Sequence, residues 1–169
     1  VYGQTTYSFT DTFRLVSGLR YSEDTFTTDV TNFFNVESFQ EEGTSDEITS
    51  RITGEYDIAE ATMVYLTFSK GFKPGGSNLT FGFTDDNAPP MVFPTFEAET
   101  VDSTEIGIKT DLLNGQARVN VAAFLYDYEN LQFQATDPDP YRGGVANIPE
   151  SEMSGVEIEF TGLISDSLT

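Results

Sequence analysis

Hydrophobicity in this chain repeats at every second residue. Ala117, Val119, Val121, Ala123 and Leu125 alternate with Gln116, Arg118, Asn120, Ala122 and Phe124. The same period sets Phe13, Leu15, Leu19 and Tyr21 against Arg14, Gly18, Arg20 and Ser22. It sets Val156, Ile158 and Phe160 against Gly155, Glu157, Glu159 and Thr161. A period of two marks a strand with one apolar and one polar face. Shorter versions place Ile48, Ile52 and Tyr56 against Glu47, Arg51 and Glu55, and Val64, Leu66 and Phe68 against Tyr65, Thr67 and Ser69. Ile106 and Ile108 alternate with Glu105 and Lys109, and the stretch from Tyr2 to Phe9 is strand-like without clear polarity. The pattern predicts an all-β chain of about seven strands.

The connections alternate in length. Short ones fall near 10–12, 58–61 and 112–115, the last carrying Asn114-Gly115, a strong hairpin signal. Long ones are expected over 27–46, 74–99 and 135–145. They collect the prolines and dense acidic groups such as Asp85-Asp86 and Asp137-Pro138-Asp139-Pro140. Loops of that length are foreign to a compact soluble domain. Short turns on one side and long loops on the other describe an antiparallel up-and-down transmembrane β-barrel. Several strands exceed the roughly 9–11 residues that a crossing needs, so they are expected to project beyond the bilayer. Seven is odd, whereas single-chain bacterial barrels are usually even. Ser165 to Thr169 reads as a turn leading into another strand. We therefore expect a segment of a larger barrel.

Composition removes most other function classes. Asp and Glu number 28 against 8 Lys and Arg, a net charge of -20, so nucleic acid is not expected as a partner. Cys, His and Trp are absent, which removes thiol catalysis, disulfides, Cys/His zinc sites and imidazole-based triads. Aromatic residues make up 14%, too many for an acidic disordered chain. No run of 18 apolar residues offers a membrane helix, and no basic-then-apolar segment opens the chain as a signal peptide.

At Tyr65-Leu66-Thr67-Phe68-Ser69-Lys70-Gly71-Phe72-Lys73-Pro74-Gly75-Gly76 the chain resembles the "Y-x-S-x-S-K-G-F-K-P-G-G" segment of TonB-dependent outer-membrane receptors. Phe96 to Lys109 resembles the family's "F-x-P-E-x-x-x-x-Y-E-x-G-x-K", with Ala98 where the family often has Pro and Thr104 where it often has Tyr. Ala122-Ala123-Phe124 matches "A-x-F", Leu131-Gln132 matches "x-Q", and Gly155 to Glu159 resembles "G-x-E-x-E". Upstream, Gly18-Leu19-Arg20-Tyr21 matches "G-x-R-Y". These matches run in order from about residue 13 to the end. The resemblance implies a partial barrel domain over residues 1–169, about seven strands of a 22-stranded barrel in the bacterial outer membrane. It places the plug, the TonB box and the remaining strands outside this segment. It further implies binding and energised uptake of a scarce nutrient, such as a ferric siderophore, haem, cobalamin or an oligosaccharide. The implied partners are the TonB complex through the plug, membrane lipid, lipopolysaccharide and a small ligand. No catalytic residue and no cofactor are implied.

Site candidates come from the long loops. Phe81, Phe83, Phe93 and Phe96, with Met91, are aromatic or apolar groups suited to gripping a planar or apolar ligand. The competing reading packs them on the barrel rim. Asp85, Asp86, Asp137 and Asp139 are oxygen donors without EF-hand spacing. We read them as solvated loop charge, with calcium bridging as the alternative, and no metal site is assigned. Lys70 to Gly76 lacks the Gly-Lys-Ser/Thr order of a phosphate loop and reads as a strand end at the membrane rim, its lysines toward lipopolysaccharide phosphates. Glu157 and Glu159, like Glu97 and Glu99, lie two apart; cross-strand pairing accounts for them better than glycosidase chemistry. Tyr7, Phe9, Phe13, Tyr21, Phe68, Phe72, Tyr126 and Tyr128 are expected in interfacial girdles. Two rivals stay open at this point: a complete small outer-membrane barrel with a structural or adhesion role, and a soluble β-sandwich that binds carbohydrate.

Overall fold

A computed structural model describes residues 1–31, 38–78, 95–135 and 144–163. The strands are β1 (Tyr2–Ser8), β2 (Phe13–Thr31), β3 (Ser38–Ala59), β4 (Thr62–Lys73), β5 (Gly76–Ser77), β6 (Thr95–Phe96), β7 (Glu99–Leu112), β8 (Ala117–Ala135) and β9 (Gly144–Gly162). Seven of them form one antiparallel sheet in the order β1-β2-β3-β4-β7-β8-β9. It is a meander in which each long strand pairs with its sequence neighbour. The predicted strand count and antiparallel class both hold. β5 and β6 pair separately, as a short ribbon on the β4–β7 hairpin.

Turn chemistry explains the tight end. Between β1 and β2, Thr10 Oγ1 accepts from the backbone N–H of Phe13 at 2.9 Å and of Thr12 at 3.3 Å. Between β7 and β8, Leu113, Asn114 and Gly115 all have φ between 54° and 84°. Asn and Gly take that left-handed conformation readily, as the hairpin signal predicts. β3 and β4 are joined by residues 60–61. All three short turns lie at one end of the meander, and the long connections leave from the other.

One expected loop is mostly strand. β2 and β3 stay in register from Phe13↔Tyr56 out to Thr31↔Ser38, so 27–46 is largely a paired ribbon. Its Thr content favours extended backbone, and the ring of Phe26 covers Gly43 across the pair.

The sheet has no core. Among the described residues the only buried hydrophobic side chain is Ala117. The large apolar groups stand exposed instead, and register puts nearly all of the strand ones on one face. Leu19, Ile48, Ile52, Phe68, Ile106, Val156, Ile158 and Phe160 are each at least half exposed there. A soluble sandwich would bury this face against a second sheet, so that rival fails. The sheet is also open, with β1 and β9 each paired on one side only, so the described residues form no closed small barrel.

The apolar band runs obliquely through the register. On β2 and β3 it reaches the pair Tyr21↔Ile48, whereas on β8 and β9 it stops below the pair Asp127↔Glu152. From Tyr21 on β2, which is level with Glu150 on β9, to the last apolar residue of the band on β9, Val156, the drop is about six residues, roughly 20 Å of strand, over five spacings of about 4.8 Å. A band level with a bilayer therefore requires strands tilted by about 40°, as transmembrane barrels have.

Candidate functional site

The face opposite the apolar band carries the polar chemistry. Near the short turns, Arg14 ion-pairs with both Glu55 and Asp57 across the β2–β3 pair. Its Nη1 and Nη2 donate to Asp57 Oδ2 and Oδ1 at 2.6 and 3.2 Å. Fork-to-fork geometry of this kind orients both partners. Arg118 makes a similar pair with Asp111, Nε to Oδ1 at 2.6 Å and Nη2 to Oδ2 at 3.0 Å. Asn120 Nδ2 donates to Glu159 Oε2 at 2.8 Å, while its buried Oδ1 has no partner. Further along, Thr53 and Thr67 are buried and share a hydroxyl bond of 2.9 Å.

Tyr65 anchors the middle of this face. Its hydroxyl donates to Glu105 Oε1 at 2.6 Å, and Lys109 Nζ lies 5.0 Å from its ring centroid. The ring covers Gly107 on β7, where an added Cβ would sit 2.5 Å from Cζ of Tyr65. Phe124 covers Gly155 in the same way. Gly107→Val should therefore displace the ring and break its bond to Glu105. The expected loss is about 1–3 kcal/mol, as for other overpacked sites, measured by urea unfolding of the full-length protein in lipid. Gly3→Val, where no atom lies within 4 Å of the added Cβ, should change little.

β8 adds an aromatic ladder to this face. Phe124 and Tyr126 stack with centroids 4.7 Å apart, and Tyr126 meets Tyr128 edge-on at 6.5 Å. Tyr126 and Tyr128 share the register parity of Asn120, not of Val121. Their expected place in a lipid-facing girdle is thus corrected: they lie on the polar face. Tyr7, Phe13, Tyr21 and Phe68 keep the parity of the apolar face, and Phe9, in the turn, packs in a row with Tyr7 and Phe13.

Of the loop candidates, Phe81, Phe83, Asp85, Asp86, Phe93, Asp137 and Asp139 lie outside the described residues. Phe96 is on β6, and its ring covers Gly76 on β5. The paired carboxylates are separated in role. Glu159 binds Asn120, Glu99 accepts from the backbone of Gln132 at 2.7 Å, and Glu97 accepts from Asn130 at 3.1 Å. No group of three or more acidic residues among the described ones is arranged to hold a metal ion.

A sheet apolar on one side, polar on the other and lacking a core has the makings of a barrel wall. Residues 1–168 match the family "TonB dependent receptor-like, beta-barrel". The chain belongs to that family. TonB-dependent receptors are outer-membrane proteins of Gram-negative bacteria, so the exposed apolar band is the lipid face and the polar face is the lumen side. The chain is 29% identical over 124 residues to a probable TonB-dependent siderophore receptor, PiuA, of Acinetobacter baumannii, covering 72% of this chain and 16% of that protein. It is 28% identical over 152 residues to the metal-pseudopaline receptor CntO of Pseudomonas aeruginosa, covering 88% of this chain and 19% of that one. Among solved structures, the ferric yersiniabactin uptake receptor FyuA of Yersinia pestis superposes with a TM-score of 0.73 at 21% identity, covering 98% of this chain and 24% of that one. The chain thus spans a quarter or less of each of these TonB-dependent receptors.

Proposed function

We propose that residues 1–169 are part of the barrel domain of a receptor that binds a scarce nutrient outside the cell and imports it with energy from TonB. In this reading the barrel has 22 strands, and the plug and other strands lie elsewhere in the protein. The observation that carries it is family membership together with a one-sided, coreless wall. The wall performs no reaction; its work is to enclose and to bind. Ferric siderophores and related metal chelates are the favoured ligands, because the PiuA and CntO relatives are named for such cargo. Haem, cobalamin and oligosaccharides are the remaining classes. Loop residues Phe81, Phe83, Asp85, Asp86, Phe93, Phe96, Asp137 and Asp139 are the proposed ligand contacts. The outer rim meets lipopolysaccharide.

The test is uptake. Cells should take up radiolabelled iron from a ferric siderophore only with both the intact receptor gene and a working TonB system. Uptake that persists without TonB would refute energised import. Topology supplies an independent check. Epitope tags inserted near Asn87 or Asp139 of the full-length protein should label on intact cells. A tag beside Asn114, at the short-turn end, should label only after the outer membrane is permeabilised. The opposite pattern would invert the barrel.

A further inference from the structure

Pro74 ends β4, because proline has no N–H for the ladder. The hairpin then leaves the main sheet as the β5–β6 ribbon, and backbone groups on both sides of the break lose their strand partners. Side-chain amides from β8 and β9 take them up. Gln132 Nε2 donates to the carbonyls of Pro74 at 2.8 Å and Glu97 at 3.1 Å. Asn147 Nδ2 donates to the carbonyls of Glu97 at 3.0 Å and Asn130 at 2.8 Å. Asn147 Oδ1 accepts from the backbone N–H of Glu97 at 2.8 Å. At the far end, Asn78 Nδ2 donates to Val145 O at 2.7 Å, and its Oδ1 accepts from Val145 N–H at 2.8 Å. A carboxamide has the donor and acceptor of a peptide group, so Asn78 and Asn147 each form the two-point bond that a neighbouring strand would form.

Gln132 and Asn147 lie directly opposite each other, with the register parity of Tyr126, Tyr128 and Met153. The ribbon is therefore drawn onto the lumen face, on the loop side of the aromatic ladder. Its other flank is tied to β3, where Gly75 N–H donates to Ser45 Oγ at 3.2 Å. We propose that Gln132 and Asn147 are positioning residues: their amides latch the β5–β6 ribbon across the loop end of the lumen face and set how far the entrance stands open along this wall. The inference needs the barrel topology but not the identity of the ligand, and nothing in it depends on TonB.

The experiment uses the full-length receptor, cleared of other cysteines, in its membrane. Nitroxides at Thr95→Cys on the ribbon and Asp127→Cys on β8 report the latch by pulsed electron resonance. A second pair, Asp127→Cys with Glu23→Cys on β2, four strands away on the same face, reports the wall itself. Gln132→Glu and Asn147→Asp keep shape but turn donors into acceptors facing carbonyls. Wild type should give one narrow ribbon-to-wall distance. Each single variant should broaden it, the double variant more, with the wall pair unchanged. In parallel, Tyr128→Cys should react with a bulky maleimide on intact cells about tenfold faster in the double variant, the change in opening expected when one to two net hydrogen bonds are lost. Its reaction with a small maleimide should not change. An unaltered ribbon distance in both single variants would overturn the proposal. So would broadening of the wall pair, since the amides would then hold the barrel and not the ribbon.

Discussion

Expressed alone in water, residues 1–169 are expected to sediment as aggregate and to be digested rapidly by trypsin. The cause is the surface described above. Ile158 is 74% exposed, and Val156 and Phe160 are each 68% exposed, all on one face of β9. Such groups form one continuous band over seven strands, far beyond the few hundred square ångströms that a soluble monomer tolerates. Both edges of the sheet are also open, and each presents a row of unpaired backbone groups to another chain. Burial cannot offset the entropy of ordering, because almost nothing is buried. Detergent micelles should raise the soluble fraction by covering the band while leaving the edges free. A monomeric, protease-resistant product in buffer would show that these residues close on themselves, against the open sheet in which β1 and β9 are each paired on one side only.

The same physics decides what could be read from the sequence. Alternation is strong where one face meets lipid and the other meets water, as in β8 around Val121 and β9 around Ile158. Those faces were legible to the residue. The β2–β3 ribbon beyond Tyr21↔Ile48 was not. There both faces are wet, so Asp24, Thr25, Glu42 and Thr44 carry no period and resemble a loop. Tyr126 and Tyr128 were misplaced for a different reason. Residue type pointed to a girdle, while counting in twos from Asn120 would have put them on the lumen side. The amide latch had almost no local signal. Asn78 and Val145 are 67 residues apart, and only Pro74, which frees the backbone that the latch binds, marks the place in the sequence.

Val121→Arg should abolish most assembly of the full-length receptor, and Asn120→Arg should leave it nearly intact. Val121 pairs with Ile108 on one side and Ile158 on the other, at the middle of the apolar run from Ala117 to Leu125. An arginine there lies near the bilayer midplane and costs about 2–4 kcal/mol, against little on the lumen face. Asn120 sits between Lys109 and Glu159 on the polar face, where Arg118 already holds a cation beside Asp111. A guanidinium at 120 can pair with Glu159 and loses only the present amide bond to it. The two sites are adjacent on one strand, so strand propensity and synthesis effects cancel in the comparison. The readout is the amount of heat-modifiable, folded receptor in outer-membrane fractions. A buried protein core would also reject arginine at 121, so a lipid probe separates the two causes. With a fluorophore at each position in turn, brominated lipid should quench the one at 121 and spare the one at 120. A core excludes lipid from both positions, and a reversed wall exchanges them, so only quenching confined to 121 agrees with this face of β8 meeting the bilayer.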